Sequence, residues 1–346
     1  KSTTNLGIAD PPGEHSGNPN FSEVWVFPNN YSTSSGNLAP GGYDYITFFH
    51  EFGHAMGLAH PHDNGGTSSD PSQIMSGVTD AFGSYGDYGL NQGIYTTMSY
   101  NDGWQLGGLS QKVKTYGFQT GLMALDIQAL QYIYGANTTY HTGDDDYALK
   151  TANAKGTGYT CIWDAGGTDT IRMTGTRGCV IDLRDATGQL GEGGGGFVSH
   201  AIGIRGGFTI AVGVSIENAV GGKGGDTIHG NEADNLITGG GGKDVMTGDF
   251  GADTFIFNAV GDSSYKLTSA DVITDFAQGA DHIDLHLMDA SSVTKGLDHF
   301  TFLGAVAAFT AAGQIRYEID ALNDRTIVYL NTDKDAAAES TIILNH

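Results

Sequence analysis

Apolar residues recur at helical period along two stretches of this chain. Tyr45, Phe48, Phe49, Phe52 and Met56 fall at i, i+3, i+4, i+7 and i+11, which predicts a helix with a core-facing stripe. At about 100° per residue, His50 and His54 lie one turn apart on nearly the opposite face, so both are expected to look into a cleft. From Phe118 to Tyr134 apolar residues stand at 122, 125, 129, 130 and 133, a second helix that Gly135 stops. Glu23–Phe27 is β-branched and aromatic and reads as a short strand, one that could pair with an extended peptide through Val24, Trp25 and Val26. Residues 1–20, with Pro11-Pro12-Gly13, read as loop, as do 29–42 and most of 61–97. His15 and His62 read as spare surface histidines.

A different pattern governs the second half. Gly221–His229 fits the nonapeptide G-G-x-G-x-D-x-U-x, and three more units follow from Gly230, Gly239 and Gly248. Glycines permit tight turns, the apolar eighth position is expected to point inward from a short strand, and the sixth position carries Asp226, Asn235, Asp244 and Asp253. Stacked turns would bring these side chains near backbone carbonyls at Gly222, Gly224, Gly239, Gly241 and Gly248. Such a hard-oxygen cage suits calcium. The second unit departs, with Asn231, Ala233 and Asn235, and weaker half-sites are expected there.

The sharpest chemistry sits on the first helix. Gly57 allows a turn that brings His60 back toward His50 and His54, and three imidazoles with an open position are the arrangement of a catalytic zinc. Glu51 lies beside the pair, placed to take a proton from a zinc-activated water. The run His50-Glu51-Phe52-Gly53-His54-Ala55-Met56-Gly57-Leu58-Ala59-His60 resembles the metzincin signature, and His60-Pro61 that of its serralysin branch.

This resemblance implies several further roles. Thr97-Met98-Ser99-Tyr100 is similar to the Met-turn, so Met98 would form an apolar floor under the zinc ligands. Tyr100 would be a further zinc ligand that later stabilises the oxyanion. The strand around Val24–Val26 would line the substrate cleft. Leu125–Gly135 resembles the last catalytic-domain helix, which places a zinc metalloprotease domain at 1–146 and a calcium-binding domain at 147–346. The repeats resemble the RTX parallel β-roll. Flanking calcium positions would be His141, Gly143, Asp145, Asp164, Gly166, Gly167 and Asp169, with Ser215 and Glu217 before the first repeat. The fold expected is thus an α+β metzincin domain, lacking its first part, followed by an all-β parallel β-roll whose cap includes Asp271–Phe276 and Asp281–Leu285. The family implies polypeptide substrates, a proteinaceous inhibitor or the absent amino-terminal segment as further partners, a monomer, and type I secretion from a Gram-negative bacterium.

Composition narrows the alternatives. Among 346 residues, 16 Lys and Arg face 39 Asp and Glu, a net charge of −23 that disfavours nucleic acid or an anionic membrane as partner. With 39% hydrophobic residues the chain can build a core, so the charge is not that of a disordered tail. No apolar run is long enough to span a membrane, and Lys1–Asn5 does not begin a signal peptide. Cys161 and Cys179 fit either a hairpin staple, slightly favoured, or two free thiols. A competing reading is a catalytically inactive RTX calcium-binding module or adhesin remnant. The presence of Glu51 argues against it.

Overall fold

A computed structural model describes residues 7–9, 24–26, 37–63, 74–110, 113–306 and 308–345. The loop expected at 1–20, including His15, lies almost wholly outside them, as do Glu23, Phe27 and Gly65-Gly66. Two compact units result. Lys1–Thr142, Lys150–Gly167 and Asp185–Val214 form the first, and Gly143–Leu149, Thr168–Arg184 and Ser215–His346 the second. The boundary expected after residue 146 lies within Gly143–Leu149 of the second unit, whereas Lys150–Gly167 and Asp185–Val214, beyond it, belong to the first.

In the first unit, helix α1 runs Tyr43–Ala55 after an extended Gly42. It ends where Leu58 N–H returns to the Gly53 carbonyl at 2.9 Å and Gly57 takes φ 99°, the turn its glycine predicts. The expected apolar stripe is not the buried face. Phe52 is 54% exposed and Met56 is also exposed, whereas Asp44, Ile46, Glu51 and Gly53 are buried. Gly53 explains the rotation: a Cβ there would stand 2.6 Å from Met98 Sδ, so the helix makes its closest approach through the residue without a side chain.

Helix α2 spans Ala124–Tyr134, with Gly135 beyond it at φ 85°. It starts later than Phe118 because the preceding residues are drawn into extended pairing. Phe118 N–H donates to Gly41, Thr120 N–H donates to Tyr159, and Tyr159 N–H returns to Phe118. Its apolar positions are only half-covered, Ile133 is exposed, and the buried helix residues are Ala124 and Asp126. Beside a 3-10 turn at Asp87–Gly89 and the short strand His200–Ala201, this unit holds three short strand pairs. Val24–Val26 pairs antiparallel with Gly7–Ala9, Gly103–Trp104 with Leu109–Ser110, and Tyr159–Ile162 runs parallel to Gly207–Ile210.

The second unit is built from the nonapeptide. Each repeat supplies one strand, and consecutive strands fall in opposite sheets, so Thr227 pairs with Val245 and Leu236 with Thr254, two repeats away. One parallel sheet is ordered His282–Asp284, Thr254–Ile256, Leu236–Thr238, Asn218–Val220, Thr170–Arg172, Asp146–Ala148. The other stacks Cys179–Asp182, Thr227–Asn231, Val245–Asp249 and Asp271–Ile273, then passes to Ser340–Asn345 and an antiparallel hairpin with Arg325–Asn331 and Gln314–Asp320. Ile228, Ile237, Met246 and Phe255, the eighth positions, are fully buried between the sheets. At Gly240, φ is +87° and a Cβ would sit 2.1 Å from the Gly222 carbonyl, so coil stacking excludes any side chain there. Asp271–Ile273 and His282–Asp284 differ from the expected cap: each adds a further parallel rung to its roll sheet. Cys161 and Cys179 are both buried free thiols, so the staple is not formed. Burial pushes the Cys161 thiol up to about 12.

Candidate metal centres

Three imidazoles of the first unit point at one spot. His60 Nε2 lies 3.0 Å from His50 Nε2 and 2.9 Å from His54 Nε2. The opposite ring nitrogens are all occupied: His50 Nδ1 bonds the Thr97 carbonyl at 2.9 Å, His54 Nδ1 the Leu58 carbonyl at 2.8 Å, and His60 Nδ1 the Asp63 carboxylate at 2.6 Å. Since a carbonyl or carboxylate can only accept, each Nδ1 carries the proton and each Nε2 presents a lone pair. Burial lowers all three imidazoles, His50 to about 4, so protonation is not what reconciles the facing lone pairs. Three Nε2 lone pairs so placed could hold a cation. Ligands about 2.0–2.1 Å from a tetrahedral ion are spaced about 3.3 Å apart, close to what is found.

Side chains that the sequence reading did not single out hold this arrangement. Asp126 is buried at the start of α2 and accepts from Thr97 N–H at 2.6 Å, Thr96 Oγ1 at 2.7 Å and Met123 N–H at 3.0 Å. It thereby fixes the turn whose Thr97 carbonyl orients His50 and whose Met98, fully buried, meets Gly53. Burial raises the Asp126 carboxyl, opposed by those hydrogen bonds. Asp63 orients His60 from three residues on, a spacing visible in the chain. The N-terminal position of Asp126 on its helix was the available signal there.

Glu51 is buried on α1 between the two histidines. The Tyr100 ring lies 4.6 Å from that of His60 and 5.7 Å from that of His50. Burial and the Glu51 and Asp63 charges raise its phenol, which keeps the hydroxyl a donor. His62 is not the expected surface residue. Its ring stacks 4.9 Å from His60, and its Nδ1 is buried without a hydrogen-bond partner.

In the second unit, sixth-position side chains form ladders. Asp226 Oδ1 accepts from Cys179 N–H, Asp244 Oδ1 from Asp226 N–H, and Asp271 Oδ1 from Asp244 N–H, at 2.7–2.9 Å. On the other sheet, Asp253 accepts from Asn235 N–H and Asp281 from Asp253 N–H. Asp271 and Asp281, expected in the cap, extend the ladders beyond the repeats after longer intervening turns. Burial pushes Asp244 up to about 7, Asp253 to about 6 and Asp271 to about 8. The second oxygens of Asp244 and Asp271 are buried without a hydrogen-bond partner. Buried anionic oxygens stacked this way fit a hard cation. Asn235 differs: its Nδ2 donates to the Glu217 carbonyl and to Asn231 Oδ1, both at 3.0 Å.

The flanking positions divide between the units. His141, Asp164, Gly166 and Gly167 belong to the first, where Ala165 N–H reaches the Tyr140 and His141 carbonyls and Asp164 accepts from Gly166 N–H at 3.0 Å. Gly143, Asp145, Asp169, Ser215 and Glu217 belong to the second, where Asp169 accepts from Asp145 N–H at 2.7 Å and donates its own N–H to Glu217 at 2.8 Å.

Serralysin of Proteus mirabilis is 35% identical over 315 residues, covering 81% of this chain and 58% of that protein. Serralysin C of Dickeya chrysanthemi is 34% identical, covering 86% and 59%, and the metallopeptidase AprA of Pseudomonas marginalis is 34% identical, covering 85% and 60%. The chain thus spans less than two thirds of the length of these relatives. A solution structure of a mannuronan C5-epimerase subunit from Azotobacter vinelandii shares 18% identity at a TM-score of 0.23, covering 61% of this chain and 76% of that one, a likeness too weak to bear on the fold. Among the described residues no helix is long and apolar enough to cross a membrane. The family described as peptidase M10 serralysin C terminal matches residues 123–345, nearly two thirds of the chain, and this chain belongs to it.

Proposed function

We propose that this chain is a secreted, calcium-dependent zinc endopeptidase that cleaves protein substrates, with an α+β metzincin domain carrying the chemistry and an RTX roll carrying calcium. The observation that supports this most is the convergence of three Nε2 lone pairs whose Nδ1 partners are all acceptors. His50, His54 and His60 would hold the metal, with Tyr100 beside them. Bound there, zinc supplies a Lewis acid for a scissile carbonyl and for an attacking water. Glu51 takes the proton from that water and delivers it to the leaving amine. Tyr100, held protonated, donates its hydroxyl to the developing oxyanion. Met98, packed against Gly53, would form the floor beneath the histidines. Val24–Val26 would hold the substrate extended. In the roll, Asp226, Asp244, Asp253 and the neighbouring glycine carbonyls would hold calcium, and Asn235 makes its own half-site the weakest.

The test is hydrolysis of a quenched peptide by this chain and by Glu51→Gln, in calcium, with zinc content measured in both. We expect zinc in both proteins and hydrolysis at least about 100-fold lower in the variant. Zinc-loaded wild-type chain that cleaves nothing would overturn the peptidase reading and leave a calcium-binding module, and a variant as active as the wild type would overturn the role of Glu51.

A further inference from the structure

The loop between Arg325–Asn331 and Ser340–Asn345 carries a second concentration of carboxylates, outside the repeats and their flanks. One oxygen from each of Asp333, Asp335 and Glu339 lies within 4.8 Å of the others. The loop's own backbone engages part of this set: Asp333 Oδ1 accepts from Asp335 N–H at 2.8 Å, Asp335 Oδ1 from Ala337 N–H at 2.7 Å, and Glu339 Oε2 from Thr332 N–H at 2.6 Å. Each carboxylate therefore keeps its second oxygen for another partner. Acidic groups on a loop are common, and their proximity alone says little.

Asn331 adds an independent observation. It is fully buried at the base of the loop. Its Nδ2 donates inward to the Asp335 carbonyl at 2.7 Å and the Ala337 carbonyl at 2.8 Å, which brings the amide against the inside of the loop. Its Oδ1 is buried with no hydrogen-bond partner. A buried amide oxygen left unpaired at the base of a loop that carries three clustered carboxylates is what a cation would satisfy.

We infer that residues 331–339 form a calcium site separate from the roll, with Asp333, Asp335 and Glu339 as carboxylate ligands and the Asn331 amide oxygen beneath. All candidate donors are hard oxygens on a short irregular loop, which suits calcium rather than a transition metal or the strict octahedron of magnesium. Its place gives it a task. Ser340–Asn345 begins where the loop ends and pairs with both Arg325–Asn331 and Asp271–Ile273. An ion in the loop would fasten the last strand of the chain to the roll sheet.

The inference is independent of the peptidase reading and is tested on the whole chain. Bound calcium is counted by equilibrium dialysis and atomic emission in the wild type and in Asp333→Asn/Asp335→Asn, with circular dichroism at saturating calcium as the check on folding. One calcium fewer per chain, with an unchanged spectrum, is expected. Unchanged stoichiometry would overturn the inference. Should the double variant fold poorly, hydrogen exchange of the wild type decides: calcium should slow exchange across 332–345 at a midpoint distinct from that of 218–256. No response to calcium, or a midpoint shared with the roll, would overturn it.

Discussion

The two units gather their candidate metal-binding side chains by opposite physical means. Around His50, His54 and His60 the ligands are neutral, and each is oriented by a hydrogen bond from the protein itself: the Thr97 and Leu58 carbonyls and the Asp63 carboxylate. Along Asp226, Asp244 and Asp271 the ligands are acids, stacked in a buried column where each added charge works against its neighbours. The first arrangement keeps its shape from protein bonds, and a metal adds to it. The second holds a shape that its own charges oppose, and on the proposed reading a cation belongs to the fold.

Removing calcium should therefore have the largest effect, and it should be confined to the roll. With chelator, far-UV circular dichroism should lose much of its strand signal, and retention of the full spectrum would break the comparison. The pH dependence sharpens it. Asp253, Asp244 and Asp271 titrate near 6, 7 and 8 in the folded roll, above the ordinary carboxylate value near 4. The folded roll then binds more protons than the unfolded chain. Its calcium-free stability is full below about pH 4 and is lost as pH rises through about 6 to 8. Calcium-free protein should melt higher at about pH 5 than at about pH 8.5, and saturating calcium should remove or reverse that order. A calcium-free melt independent of pH would contradict it.

Asp126→Asn comes next. One acceptor oxygen becomes a donor facing Thr96, Thr97 or Met123, at a cost of about 1–3 kcal/mol in stability. Because Thr97 orients His50, zinc affinity should also fall by about 10–100-fold. Denaturant melts and competition with a zinc chelator would measure the two separately. A stability loss with unchanged affinity would reduce Asp126 to a packing role. Asn235→Asp should have the smallest effect and opposite signs in two conditions. It removes the amide bonds to Glu217 and Asn231 and adds a carboxylate, so it should destabilise calcium-free protein by about 1 kcal/mol and stabilise the calcium form. The same sign in both would show that Asn235 is not a weakened half-site.

What the chain disclosed in advance follows the same division. Periodicity revealed the roll because one repeat solves both backbone and core: the eighth-position apolar residues are buried and the strands pair two repeats apart. The convergence of His60 on His50 and His54 was legible because the spacing and Gly57 leave little freedom. The core face of α1 was not, since helical period marks apolar residues without saying what covers them, and Gly53 against Met98 settled it. Asp126 was passed over because an acid in a helical stretch reads as solvated until the helix start is known. Asp271 and Asp281 read as part of a cap because they follow irregular turns and not the nonapeptide.

The contrast itself is tested most directly by side-chain and backbone proton–nitrogen NMR, recorded after zinc is stripped with phenanthroline and again after calcium is removed with EGTA. His50, His54 and His60 should keep the Nδ1–H tautomer through both steps, while the amides of residues 218–284 lose their dispersion only at the second. Mixed histidine tautomers on loss of zinc, or roll amides indifferent to EGTA, would contradict the account.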